Sequence, residues 1–252
     1  MKFIISPAKK MNVDTDSLPW QELPQFLDQA ETLKQYLQGL TAAELQTLWN
    51  CNDSIAQQNI QRLQTMHLQR NLTPALLAYE GIQYQYMAPQ VFTQQELDYV
   101  QTHLRILSGF YGLLRPMDGI VPYRLEMQAK PMHFTHKTLY AYWGDQLAKA
   151  LACETNCIVN LASKEYSKCI EKHLPAHVDF IQVTFGQKNG EKIVEKATMA
   201  KMARGSMVRY AAEHQCQTPE QLQGFDRFGF VFSPEHSTPK HLVFLLDPTA
   251  QA

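Results

Sequence analysis

The chain has 252 residues, 45% hydrophobic and 19% charged, with a formal net charge of −1. That length fits one large domain or two small ones, with enough apolar material for a sizeable core. No apolar run approaches the roughly 18 residues of a transmembrane helix, and the first, Phe3-Ile4-Ile5, is too short for a signal peptide, so a cytoplasmic location with no membrane partner is expected.

Lys2–Ser6 reads as a short strand stopped by Pro7, with Ala8-Lys9-Lys10 directly after it. Those lysines either face solvent or point into a crevice at the strand's carboxyl end. Residues 24–67 read as helical. Gly39 interrupts them between two leucines, and Thr41 and Glu44 form a capping box. Thr73-Pro74 suits the start of a short helix, and Tyr79–Tyr84 a turn into an extended segment. A second capping box, Thr93 to Glu96, opens a helix carrying Leu97, Val100, Leu104 and Leu107 and ending at Ser108-Gly109.

Leu104 to Met127 stands apart, with three glycines, two prolines and three arginines among aliphatic residues. Its first part, L-S-G-F-Y-G-L-L-R, has the apolar-x-Gly-apolar-x-Gly pattern of a helix-hairpin-helix turn, in which backbone N–H groups meet a phosphate. A plain glycine turn is the other reading, and the turn at Gly39 is a competitor. In Pro122-Tyr123-Arg124-Leu125-Glu126-Met127, alternation puts Arg124 and Glu126 on one face. They form a structural ion pair, or Glu126 positions Arg124 for a phosphate.

Leu139–Leu151 reads as a helix and Cys157–Leu161 as a buried strand. The strand runs into Ala162-Ser163-Lys164-Glu165-Tyr166, where Ser163 suits an N-cap and Glu165 and Tyr166 are candidate acid–base groups at a strand-to-helix crevice. Residues 178–198 suit a hairpin through Asn189-Gly190. Residues 200–214 are expected to be helical, with Lys201, Arg204 and Arg209 on a basic side. Gly205 within that helix costs about 1 kcal/mol relative to Ala, which close approach of another backbone or of a ligand would justify. Phe228–Phe232 and His241–Leu246 close the chain as strands. Charge is uneven: residues 161–210 hold nine Lys/Arg against five acids, with acidic segments toward both ends, so a basic cleft is compatible with neutrality.

Five cysteines with no framework spacing read as free thiols. His133-x-x-His136 and the pair His173, His177 lack companions at metal spacing, and no cofactor motif occurs, so neither metal nor cofactor is expected. Irregular strand–helix alternation favours one α+β domain over residues 1–252, not a doubly wound fold.

Six segments carry a resemblance: I-S-P-A-K (Ile5–Lys9), H-L-R-I-L-S-G-F-Y-G-L-L-R-P-M-D (His103–Asp118), P-Y-R-L-E-M (Pro122–Met127), N-L-A-S-x-E-Y (Asn160–Tyr166), A-R-G-x-M (Ala203–Met207) and Gly229-Phe230. They resemble the YaaA family, also called DUF328 or UPF0246, of bacterial peroxide-stress proteins. The resemblance implies a cantaloupe-type α+β fold with a helix-hairpin-helix element and a basic cleft. It implies binding of double-stranded or branched DNA without strong sequence specificity and without an obligate protein partner. Transferred residue by residue, Lys9, Arg115, Arg124, Lys201 and Arg204 become candidate phosphate contacts, and Gly109 and Gly112 the hairpin glycines. Lys10 and Lys164 depart from the family's commoner residues, and both add positive charge. One alternative is an enzyme on a nucleotide or nucleic acid using Ser163, Glu165 or Tyr166. Its mark would be a pocket enclosing Lys9, Arg124, Ser163, Glu165 and Tyr166 together. A third is a protein that limits free iron.

Overall fold

The computed structural model describes residues 1–247. Eight strands form one sheet: β1 (Lys2–Ile5), β2 (Leu104–Ser108), β3 (Gly112–Leu114), β4 (Cys157–Leu161), β5 (Asp179–Asn189), β6 (Lys192–Val194), β7 (Phe230–Phe232) and β8 (His241–Leu246). Their order is β7-β8-β5-β4-β1-β2-β3, with β6 paired to β5. The five inner strands are mutually parallel, and antiparallel partners flank them at β3, β6 and β7. The expected α+β class thus becomes a mixed α/β arrangement with a parallel centre. The alternation was hidden because one crossover, from β1 to β2, contains six helices: α1 (Leu27–Gln38), α2 (Ala42–Trp49), α3 (Asp53–Gln64), α4 (Ala75–Ala78), α5 (Ile82–Met87) and α6 (Gln94–His103). The remaining helices are α7 (Leu139–Trp143), α8 (Gln146–Glu154), α9 (Lys164–Glu171) and α10 (Ala197–Glu213).

Inner parallel strands are covered on both faces and so read as continuous apolar runs. Phe3, Ile4 and Ile5 of β1 are fully buried, as are Ile158, Val159 and Leu161 of β4. The same rule explains the main correction. Helix α6 stops at His103, and Leu104–Ser108 is a wholly buried strand beside β1. Leu104 and Leu107 continue the helical spacing only by coincidence. The turn at Gly109–Gly112 therefore joins two antiparallel strands, Ser108 pairing with Gly112, and is not a helix-hairpin-helix element. Gly112 takes φ +74°, and a Cβ on Gly109 would lie 2.5 Å from the Leu125 carbonyl oxygen. Both glycines are buried and offer no surface to an anion. The competing turn at Gly39 does join two helices, α1 and α2, with the expected capping box at Thr41.

Smaller differences have local causes. Thr73–Pro74 forms a two-residue bridge with Gly119–Ile120, and its helix starts at Ala75. The segment after Tyr79 is helix α5, not extended chain. The helix expected at 139–151 is divided at Gly144, which takes φ +52°. The 178–198 hairpin turns at Gly190 as expected, but its second strand is short because α10 begins at Ala197.

Gly205 has the close neighbour its helix position called for. A Cβ there would stand 1.9 Å from the Gln83 carbonyl oxygen, so α10 and α5 meet backbone to backbone. Helix propensity alone would make Gly205→Ala stabilising. The contact reverses the sign: Gly205→Ala is expected to lose about 2 kcal/mol or more, measured by denaturant unfolding.

Candidate functional site

The carboxyl ends of β1 and β4 lie side by side at the centre of the sheet. The chain leaves β1 toward β2 on one side and returns to β4 on the other, so this is the point where strand order reverses. In parallel sheets ligand crevices form there. A cavity of about 540 Å³ occupies the position.

Ser6 follows β1 and Ser163 follows β4. The Ser163 N–H donates to Ser6 Oγ at 2.8 Å, and the Ser6 hydroxyl donates to Ser163 Oγ at 3.2 Å. Ser163 holds the N-cap position of α9, but its hydroxyl serves this cross-strand link instead of capping. From α5, Gln83 Nε2 donates to the Leu161 carbonyl (3.3 Å) and the Tyr84 hydroxyl to the Ser6 carbonyl (3.0 Å), tying the helix to both strand ends.

The other wall is Pro122–Met127. Tyr123, Leu125 and Met127 are buried, and the run from Tyr123 to Glu126 lines the cavity, where Arg124 and Glu126 meet as an ion pair. The Tyr123 hydroxyl hydrogen-bonds Ser108 Oγ at 2.6 Å and the Tyr79 hydroxyl at 2.8 Å. Ser108 Oγ also accepts the N–H groups of Phe110 and Tyr111. The carboxylate of Glu126 holds Lys9 Nζ at 3.0 Å and an Arg124 terminal nitrogen at 3.2 Å. The other Arg124 contact is with the Trp49 carbonyl at 3.4 Å.

From α10, Lys201 and Arg204 complete the wall, Arg204 pairing with Glu195 at 3.3 Å. The Nε atoms of Arg124 and Arg204 are both buried and have no hydrogen-bond partner. Glu165 is half-buried and accepts the Gln128 N–H at 3.2 Å. Burial, then the charge of Glu126, raise its pKa against the pull of that N–H and of Lys9. Burial pushes the Tyr166 hydroxyl far up, so it stays protonated.

The structure therefore brings together Lys9, Arg124, Ser163, Glu165, Tyr166, Lys201 and Arg204. Arg115 is not among them. Its guanidinium pairs with Glu22 at 2.7 Å beside a second cavity of about 510 Å³, which also receives Arg105, Asp118 and Glu154. Ser6, Gln83 and Tyr84 were not singled out from the sequence. Ser6 had a usable signal, a hydroxyl directly after a strand, but Gln83 and Tyr84 were hidden by the missed helix α5. The cavity lining carries Lys9, Lys10, Arg124, Lys201 and Arg204 against Glu80, Glu126 and Glu165, so its basic excess is modest. Among the described residues no group of three His, Cys, Asp or Glu is placed to hold a metal, and no helix is long and apolar enough to cross a membrane.

Comparison with known proteins places these features in a family. The family model described as "Peroxide stress protein YaaA" matches residues 1–236. A UPF0246 protein of Agathobacter rectalis is 51% identical over 97% of this chain and 98% of its own length. UPF0246 proteins of Lactiplantibacillus plantarum and Lachnoclostridium phytofermentans are 52% and 51% identical, each over 97% of this chain and over 99% and 96% of their own lengths.

Two outcomes follow from this geometry. Tyr123→Phe removes the group shared by Ser108 and Tyr79 and is expected to cost about 1–3 kcal/mol. Combined with Tyr79→Phe the losses should be less than additive, read from a double-mutant cycle of unfolding free energies. Asp118, 2% exposed, accepts the Arg115 N–H at 2.8 Å, and burial raises its pKa from 3.8 to about 7. The folded state thus holds this proton more tightly than the unfolded state. That contribution is full below about pH 4 and is lost as pH rises to about 7. Stability measured across that window should fall less steeply in Asp118→Asn than in the parent chain.

Proposed function

The chain belongs to the peroxide stress protein YaaA family, and from that premise we propose that it acts in peroxide stress by binding a nucleoside phosphate in the cavity at the strand ends. The observation that carries this reading is the convergence of Lys9, Arg124, Lys201 and Arg204, from three separate segments, on one cavity. Guanidinium and ammonium groups that converge in this way hold phosphate oxygens with charge-assisted bonds. The cavity volume suits a ligand the size of one nucleotide. Ser6 and Ser163 add hydroxyls where sugar or phosphate oxygens would lie.

The phosphate has two possible sources, a free nucleotide or DNA. A duplex is too wide for the cavity, so DNA would be engaged by phosphates at the mouth, where Lys9 and Lys201 are exposed, or by a single nucleotide leaving the stack. DNA binding thus remains part of the proposal, with Lys9, Arg124, Lys201 and Arg204 as its contacts. Arg115, Gly109 and Gly112 have no part in it. An enzyme acting on the bound nucleotide is the second reading, favoured by the enclosure of Ser163, Glu165 and Tyr166 with the cations.

The test is calorimetric titration with adenosine monophosphate and with a short duplex, each over a salt series. Arg124→Ala and Arg204→Ala should each weaken binding by about tenfold or more, and Arg115→Ala should leave it unchanged. Loss of duplex binding with a salt slope lower by about 1 per arginine identifies DNA as the source. Loss of mononucleotide binding identifies the free ligand. Unchanged affinity for both in both arginine variants overturns the assignment.

A further inference from the structure

The cavity holds two carboxylates in opposite surroundings. Glu126 is clamped between Lys9 and Arg124, at 3.0 and 3.2 Å. Glu165 has no ion-pair partner among the described residues. It shares the cavity with Glu126 from the start of α9, feels the opposing charge of Lys9, and has the backbone N–H of Gln128 as a hydrogen-bond donor. Beside it, Tyr140 donates its hydroxyl to the Glu165 carbonyl, which fixes the backbone that carries the carboxyl group. Burial and the neighbouring carboxylate favour the protonated form of Glu165. A buried carboxyl group without an ion-pair partner, in one cavity with a carboxylate that carries two, supplies an acid and an electrostatic stabiliser for a bond that breaks with cationic character on carbon. The hydroxyls nearby do not offer a competing nucleophile. Ser163 Oγ is engaged by Ser6, and no histidine lines the cavity.

Resting on the nucleoside-phosphate reading above, we propose that this cavity hydrolyses the N-glycosidic bond of its ligand, with Glu165 as the acid and Glu126 as the stabilising carboxylate. Arg124 and Arg204 hold the phosphate and so place the sugar over the carboxylates. Glu165 gives its proton to a ring nitrogen of the departing base. The bond between C1′ and the base nitrogen breaks, and its electron pair leaves with the base. The positive charge that develops on the sugar is stabilised by the carboxylate of Glu126. A water molecule then adds through its oxygen to C1′ and returns a proton to Glu165. The products are a free base and a sugar phosphate, and neither oxidant nor reductant is consumed. The chemistry is the same for a mononucleotide and for a nucleotide extruded from DNA.

The experiment incubates the full-length chain with the purine and pyrimidine nucleoside monophosphates, ribose and deoxyribose forms, and with a short duplex, intact and pretreated with hydrogen peroxide. Free base is measured by liquid chromatography, and affinity for each ligand by calorimetry in parallel. Release of base from at least one ligand is expected. Glu165→Gln should lower kcat at least a hundredfold while affinity changes less than about threefold. Glu126→Gln should also lower kcat and leave the phosphate contacts of Arg204 intact. Ligand binding without base release from any member of the set overturns the hydrolysis proposal alone. Base release that survives Glu165→Gln overturns the assignment of the acid. Absence of binding by every ligand overturns the nucleoside-phosphate reading and the hydrolysis with it.

Discussion

The hydroxyl of Tyr123 fixes where the functional groups stand. It sits between Ser108, at the end of β2, and Tyr79, before α5, in a fully buried hydrogen-bond chain. The segment that follows brings Arg124 and Glu126 to the cavity wall as an ion pair. Gly109 makes the arrangement possible, because its missing side chain admits the Leu125 backbone against the turn. Burying three polar groups is tolerable only when each finds a partner, and here each does. The glycine turn thus serves the site as a seat for the segment that carries the charges, without touching a ligand itself.

The electrostatics differ from those of an open nucleic-acid groove. Lys9, Lys10, Arg124 and Arg204 each already have a carboxylate partner, Glu126, Glu80, Glu126 and Glu195 respectively. The long-range field of such pairs is small. What the cavity offers is local: cationic donors held in fixed directions by those pairs. Such a site selects by geometry and desolvation more than by attraction at a distance. The carboxylates also restrict where a phosphate can go, since an oxygen placed against Glu126 would be repelled.

Much of the site was legible in the sequence, and the reasons are local. Glu165 and Tyr166 were visible because a buried apolar run, Cys157–Leu161, ends in polar residues, and that pattern needs no knowledge of the rest of the chain. Arg124 and Glu126 were visible because a period of two survives even outside a regular strand. Gly205 was visible as a helical glycine in want of a neighbour. Leu104–Ser108 was misread because its leucines prolong the spacing of α6, and only its partner β1 decides that it is a strand. The fold class was misread for the same reason: parallel pairing joins segments far apart in sequence, and nothing within a window of ten residues reports it. Arg115 looked like its basic neighbours, but its distance from the cavity is set by the β2–β3 turn, whose hand cannot be read from composition.

The position of β1 carries a consequence for how the protein is made. The strand Lys2–Ile5 is synthesised well before either of its partners, yet it lies at the centre of the sheet, with Phe3 paired to Leu104 on one side and Val159 on the other. Three consecutive fully buried apolar residues must therefore wait, exposed, until much of the chain has left the ribosome. Parallel pairing across such separations is slow, because loop closure precedes any reward from contact. Until those partners are made, an apolar strand stays unpaired and open to aggregation. The helices of the β1–β2 crossover are the elements available to shelter it during that time.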